Sequence, residues 1–491
     1  MKALLLALAL AFCAACSTET RGGPGGELRE FTGSHTRVVW VQQDGRDPYA
    51  AGDNLQLMGL DSNDGRGERP LLPARGSYVK PLLTPSGARI VFSRRPTRPE
   101  GPEAFAVNWD GSGLTSLGRG FALAVWANPT DGREWVYVGT DNKKGQEYDF
   151  ATVSRMPIDA PQAREVVWNK TLVSGDTFQV SSDGRHAGGL FPWPEAGVAE
   201  LPNGSLRKLG DGCWTAMSSV RGPVMWYFDG SHRNLTLVDI RSDKRWMVNI
   251  NRVPGFGNDE VYHPRWTNHP RFLAMSGPYN LGGANQVRSG GAQTEVYVGR
   301  FAPDYTRVEA WLRVTSNASG DSYPDIWIER RNNPHEVAPK SGSIGGSAAA
   351  SDASRPNAPA SDAAGRLVVE AKLTKSGDIP SPQAIAPYQH ALVVNTYEIL
   401  KTIQGSYSGR TVLVAQWAIR DRRVLPTARK TTGSVHTLTL ERYDAHPELE
   451  GERLISAGDA PDLPLYYEVA GSPSTSELPP KGAFPPEGRS H

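Results

Sequence analysis

From Thr36 to Arg330 the chain repeats one arrangement at intervals of about 45 to 50 residues, a period that signals solenoids or propellers. The clearest copy is "YVKPLLTPSGARIVFSRR" followed by "EAFAVNWDGSGLTSL". It reads as a strand, a turn at Pro85 to Gly87, an apolar strand Arg89 to Ser93, a third strand Ala104 to Trp109, a turn at Asp110 to Gly113 and a short fourth strand. Four strands in a meander make one propeller blade.

Three further copies follow the same order: "LAVWANPTDGREWVYVGTD" with "DFATVSRMPID" and "REVVWN"; "DTFQVSSDGRHAGGLFPW" with "VAELPNGSLRKLG"; and "CWTAMSSVRGPVMWYFDGS" with "NLTLVDIRSDKRWMVNI". "VYHPRWTNHPRFLAMSGP" opens another, with a turn at Asn268 to Pro270, and "TEVYVGRFAPDYTRVEAWLRV" completes it. The N-terminal copy, "TRVVWVQQ" then "NLQLMGLDSNDGRGERPLL", lacks a first strand, while "GDSYPDIWIE" at Gly320 to Glu329 is a first strand with nothing after it. Joined, they complete a blade, which predicts a closed ring of about six and removes the exposed edges of an open array.

"TPSGARIVFSRR", "NWDGSGLTSLG", "SSDGRHAG" and "YPDIWIE" resemble the TolB-type propeller repeat of bacterial periplasmic proteins. The resemblance covers residues 36–330 and implies a β-propeller of the bacterial periplasm; the lack of a recognisable catalytic constellation makes a binding or scaffold role the expected one. The helical domain that precedes the propeller in TolB has no counterpart here, so its partner contacts are not carried over.

Composition divides the remainder. Lys2, the apolar "ALLLALALAF" and the small residues before Cys16 resemble a bacterial lipoprotein signal: residues 1–15 would be removed, Cys16 lipidated, and residues 16–35 would form a tether from the outer membrane. Residues 331–365 are Ser, Ala, Gly and Pro with almost no large apolar side chains, the composition of a flexible linker. In 366–470 five alternating segments, "RLVVEAKL", "HALVVNTYEILKTIQG", "RTVLVAQWAI", "SVHTLTLERY" and "LPLYYEV", predict a small β-barrel, with a hairpin across Gly405 to Gly409. "YEILKTIQGSYSGRTVLV" is similar to the strands of OB-type barrels of extracellular proteins. Residues 471–491 read as a disordered tail. The expected class is all-β: a six-bladed propeller, a flexible linker and a small β-barrel-like domain.

Lys+Arg 53 against Asp+Glu 52 leaves a net charge of +1, so no basic field exists to hold nucleic acid. Cys213 reads as a small buried hydrophobe, and after processing no disulfide could form within the chain. No G-x-S-x-G elbow or sialidase Asp box occurs, so no catalytic residue is assigned. His263 and His269 are separated by a turn and do not read as joint metal ligands; no metal or cofactor is expected. "DSNDGRG" at Asp61 to Gly67 lacks the alternate-position spacing of a calcium loop and reads as a turn. "YDAHPELEGERL" reads as a solvated charged loop. Of 13 tryptophans all but Trp417 lie in the repeats; Trp126, Trp214, Trp266 and Trp327 fall on first strands and are expected to pack between blades. Tyr262, His263, Arg265, His269 and Tyr279 are the candidate binding residues at a channel mouth, suited to an envelope protein or a glycan. The rival reading is a lyase or hydrolase of envelope polysaccharide using His263, Arg265 and His269.

Overall fold

The computed structural model describes residues 23–47, 50–95, 101–142, 148–175, 177–218, 224–256, 259–280, 291–330, 366–386, 388–455 and 463–469. Cys16, the signal segment, the linker 331–365 and the tail 471–491 lie outside them. Among the described residues, six antiparallel sheets follow the repeats. Their first strands are Gly320–Ile328 (blade 1), Tyr78–Leu83 (blade 2), Phe121–Ala127 (blade 3), Phe178–Val180 (blade 4), Cys213–Met217 (blade 5) and Glu260–Trp266 (blade 6).

Blade 1 closes the ring as its split sequence predicts. Gly320–Ile328 pairs with Thr36–Gln43, with Val38 opposite Ile326 and Val39 opposite Asp325. The Trp40 indole N–H donates to Asp321 Oδ1 at 2.8 Å across the join. A helix, Pro24–Thr32, lies within the segment read as a tether. It buries Leu28 against the apolar side chains of blades 1 and 6, and Phe31 meets Phe272 edge-on at 6.0 Å.

Each blade is apolar on both faces because it is sandwiched between neighbours: the first strand of blade 2 is buried at every residue. Aromatic rings fill the wedges. Trp226 of blade 5 and Trp266 of blade 6 stack at 4.6 Å with 15° between planes.

The turns between first and second strands contribute a second device. In blade 2 Gly87 has φ +72°, and a Cβ there would lie 2.5 Å from the Trp327 ring of blade 1. In blade 4 Gly184 has φ +73°, with Trp126 of blade 3 at 2.6 Å. Glycine permits both the left-handed turn and the seating of the preceding blade's tryptophan. The indoles are pinned there: Trp327 donates to the Pro85 carbonyl at 2.9 Å and Trp126 to that of Ser182 at 3.1 Å.

The C-terminal part is a closed five-stranded barrel. Its strands in chain order are Leu367–Lys375, Ala391–Gln404, Thr411–Arg420, Val435–Arg442 and Leu465–Glu468. The first pairs with the second and the fourth, the second with the third, and the fifth lies between the third, to which it is parallel, and the fourth. This is the Greek-key connectivity of an OB-type barrel. Ile385 and Tyr388, from the loop after its first strand, pack with Trp193 and Tyr262 of the propeller.

Candidate functional site

The first strands meet around the ring axis, and their sequences decide what the axis holds. Register shifts interrupt their pairing at Val79/Leu82, Cys213/Ala216 and Tyr262/Arg265. At these irregularities, and at the matching place in blade 1, Lys80, Trp214, His263 and Tyr323 take positive φ of 45°, 40°, 53° and 54°. Lys80, His263 and Tyr323 each precede a proline, whose ring disfavours the right-handed helical region for the residue before it.

These side chains fill one end of the axis. His263 stacks on Tyr323 at 4.0 Å and meets Trp214 edge-on at 4.7 Å; its Nδ1 lies 2.9 Å from Ser276 Oγ. Burial holds the His263 pKa well below its ordinary value, so the imidazole is neutral. Tyr262 and Tyr279 complete the cluster, with ring centroids 5.2 Å apart. The remaining space is a void of about 20 Å³.

Directly after the three prolines stand Leu82, Arg265 and Asp325. Arg265 Nε lies 2.8 Å from Asp325 Oδ1, and the other Asp325 oxygen accepts the Leu83 backbone N–H at 2.7 Å. Burial raises the Asp325 pKa, with Arg265 opposing. Gln179 joins this layer: its amide donates to the Trp266 carbonyl at 3.2 Å and accepts the Met217 N–H at 3.1 Å. These polar side chains form the floor of a funnel of about 540 Å³ that opens on the face bearing the first turns. Its walls are Trp126, Trp266, Trp327 and Val125; Pro85, Pro129, Asn268, Glu329 and Arg330 stand toward the rim. Asn268 ties the wall together, donating to the Ile328 carbonyl at 2.9 Å and accepting the Ile328 N–H at 2.8 Å.

The five residues proposed from sequence therefore do not form one site. Arg265 alone of them lines the funnel. His263 and Arg265 share the small void below it; Tyr262 and Tyr279 belong to the aromatic plug; His269 sits in the turn, its ring against Phe272 at 5.0 Å. Gln179 and Asp325 are not among the residues that the sequence singles out, and Asn268 reads there only as a turn residue. Their signal was a polar residue within or closing an otherwise apolar innermost strand, where it must find a partner. "DSNDGRG" is a turn whose carboxylates face arginines: Asp61 pairs with Arg37 at 2.9 Å and Asp64 with Arg69 at 2.6 Å. Among the described residues no group of three or more His, Cys, Asp or Glu is placed to hold a metal ion.

No protein-family model matches the sequence, and no curated protein does. Among solved structures, TolB from Acinetobacter baumannii is 13% identical, with 62% of this chain and 70% of that chain covered and a TM-score of 0.41. An auxiliary nutrient binding protein from Bacteroides thetaiotaomicron is 10% identical over 48% and 66% of the two chains, at 0.34. One of two prolyl endopeptidases is 12% identical over 60% of this chain but only 45% of its own length, at 0.34. These neighbours differ in activity, and the strand pairing itself defines the fold. The chain is a six-bladed β-propeller, similar in fold to TolB, that carries a five-stranded barrel.

Proposed function

We propose that the protein is a non-catalytic binding or scaffold protein of the bacterial cell envelope, anchored by a lipid at Cys16 on the periplasmic face of the outer membrane. Its propeller engages another envelope protein or a surface glycan. The observation that carries this reading is the funnel: an open recess with indole walls, a polar floor and charged residues at its rim has the composition of a ligand pocket. Indole faces suit sugar rings and the apolar side chains of a protein loop alike.

The test places a photo-crosslinking residue at exposed Glu329 on the funnel rim, and separately at exposed Met247 on an outer strand of blade 5, in the native envelope. The expected result is one defined adduct from position 329 and none from 247, or saturable binding of a cell-surface glycan that is lost when Glu329 is replaced by a bulky residue. Equal labelling from both positions with no glycan bound, or cleavage of an envelope polysaccharide by the purified protein, would remove the reading.

A further inference from the structure

Barrels with this connectivity bind oligonucleotides and oligosaccharides through the loops joining strands one to two and four to five. Here both loops are turned onto the propeller. The first supplies Ile385 and Tyr388, 0% and 1% exposed. The second supplies the segment Glu450–Leu454. Gly230, in the turn between the second and third strands of blade 5, donates its N–H to the Glu450 carbonyl at 2.9 Å and accepts the Leu454 N–H at 3.1 Å, so main chain meets main chain.

Charge is buried with the loops. Arg453 is fully buried, and its guanidinium reaches Glu260 Oε1 at 2.8 Å and the Gly230 carbonyl at 3.0 Å. The other Glu260 oxygen receives His232 Nδ1 at 2.8 Å and the Asn280 amide at 2.6 Å. His232 Nε2 then accepts the Tyr388 hydroxyl at 2.9 Å. Glu260 keeps His232, Asn280 and, at 3.9 Å, Arg233 within the propeller, but parting barrel from propeller would strip the buried Arg453 of its carboxylate and the Tyr388 hydroxyl of His232. Glu260 opens the first strand of blade 6, at the end remote from the funnel, and the aromatic plug of His263 and Tyr323 lies further along the axis.

We propose that the barrel is a permanent internal ligand of the propeller. Ile385 and Tyr388 of the first recognition loop and Glu450–Leu454 of the second are taken up by the face opposite the funnel, so ligands have the funnel as their way in. The inference does not depend on which ligand the funnel takes.

Gly230 gives a clean test. Its φ is not in the left-handed region, so alanine fits the backbone, yet a Cβ there would lie 1.6 Å from the Glu452 carbonyl oxygen. In full-length protein carrying a protease site within 331–365, the cut wild type should elute as one species in physiological and in molar salt, since a buried pair is little screened. Gly230→Ala should separate into propeller and barrel after the cut, and Arg453→Met should do the same. Circular dichroism of the uncut Gly230→Ala chain distinguishes undocking from misfolding, because its strand signal should be unchanged. Separation of the cut wild type, or continued co-elution of cut Gly230→Ala, would overturn the proposal.

Discussion

Gly184→Ala tests whether a turn glycine is needed for its backbone alone or also for the tryptophan that lies on it. Two costs are expected. A non-glycine residue in the left-handed region loses about 1 to 2 kcal/mol. The added methyl must also fit where Trp126 already stands, with Cζ2 at 2.6 Å and Cε2 at 2.9 Å. Trp126 cannot simply retreat, because its indole N–H is held by the Ser182 carbonyl. Overpacking of this kind costs about 1 to 3 kcal/mol. The fold supplies its own control. Gly132 occupies the same turn in blade 3 with φ +71°, but nothing lies within 4 Å of its missing Cβ, because blade 2 ends its first strand at Leu83 without a tryptophan. Gly132→Ala should therefore show the backbone cost only, and the lowered entropy of the unfolded chain is common to both variants. Heat unfolding followed by tryptophan emission reports the propeller, since 12 of the 13 tryptophans precede Arg330. At roughly 2 °C per kcal/mol for a unit of this size, Gly184→Ala should lower the midpoint by about 4 to 10 °C and Gly132→Ala by about 2 to 4 °C. Equal shifts in the two variants would refute the seating argument.

Two other outcomes can be checked directly. Asp321, at the ring closure, has its pKa raised to about 7 by burial and the nearby Glu295 carboxylate, against hydrogen bonds from Gln42 and Asn317. The folded state then holds a proton that the unfolded chain releases near the ordinary 3.8, so the Asp321 contribution to stability should be fully present below pH 4 and be lost as pH rises to 7, by about 1.4 kcal/mol per unit at most. Asp321→Asn keeps an acceptor for Trp40 and should flatten the melting-temperature profile over that window; an unchanged slope would exclude Asp321 as its source. Cys16→Ala should move the protein from the detergent-extracted membrane fraction to the soluble periplasm, and identical fractionation of variant and wild type would exclude the lipid anchor.

The blades and barrel strands could be read because each depends on neighbours in sequence: alternation fixes a strand, and Pro, Asp and Gly fix its turn. Docking depends on pairs far apart, and the local signal there pointed the wrong way. "YDAHPELEGERL" has the composition of a solvated loop, and Glu448 is indeed exposed. Yet the same run carries Glu450 and Glu452, whose backbone meets Gly230, and Arg453, which is fully buried on a partner 193 positions away. Sequence alone has no means of distinguishing an arginine that will be paired in the interior from one that stays in water.

The funnel was hidden for the opposite reason. A repeat is recognised by what its copies share, and the shared residues here, strand apolars and turn glycines, build the ring. The floor is made where copies disagree. After Lys80-Pro81, His263-Pro264 and Tyr323-Pro324 the chain places leucine, arginine and aspartate in turn, on strands of the same role in their blades. Packing alone would accept leucine at all three, as it does at fully buried Leu82. Placing Arg265 and Asp325 there instead puts a charged pair on the axis, where its desolvation must be offset by the 2.8 Å contact between them. An ion pair that the ring does not require for packing, at the base of an open recess, is therefore where selection for a ligand would leave its mark. In a propeller of this kind the search for function should begin at inner-strand positions that break the repeat rather than at those that define it.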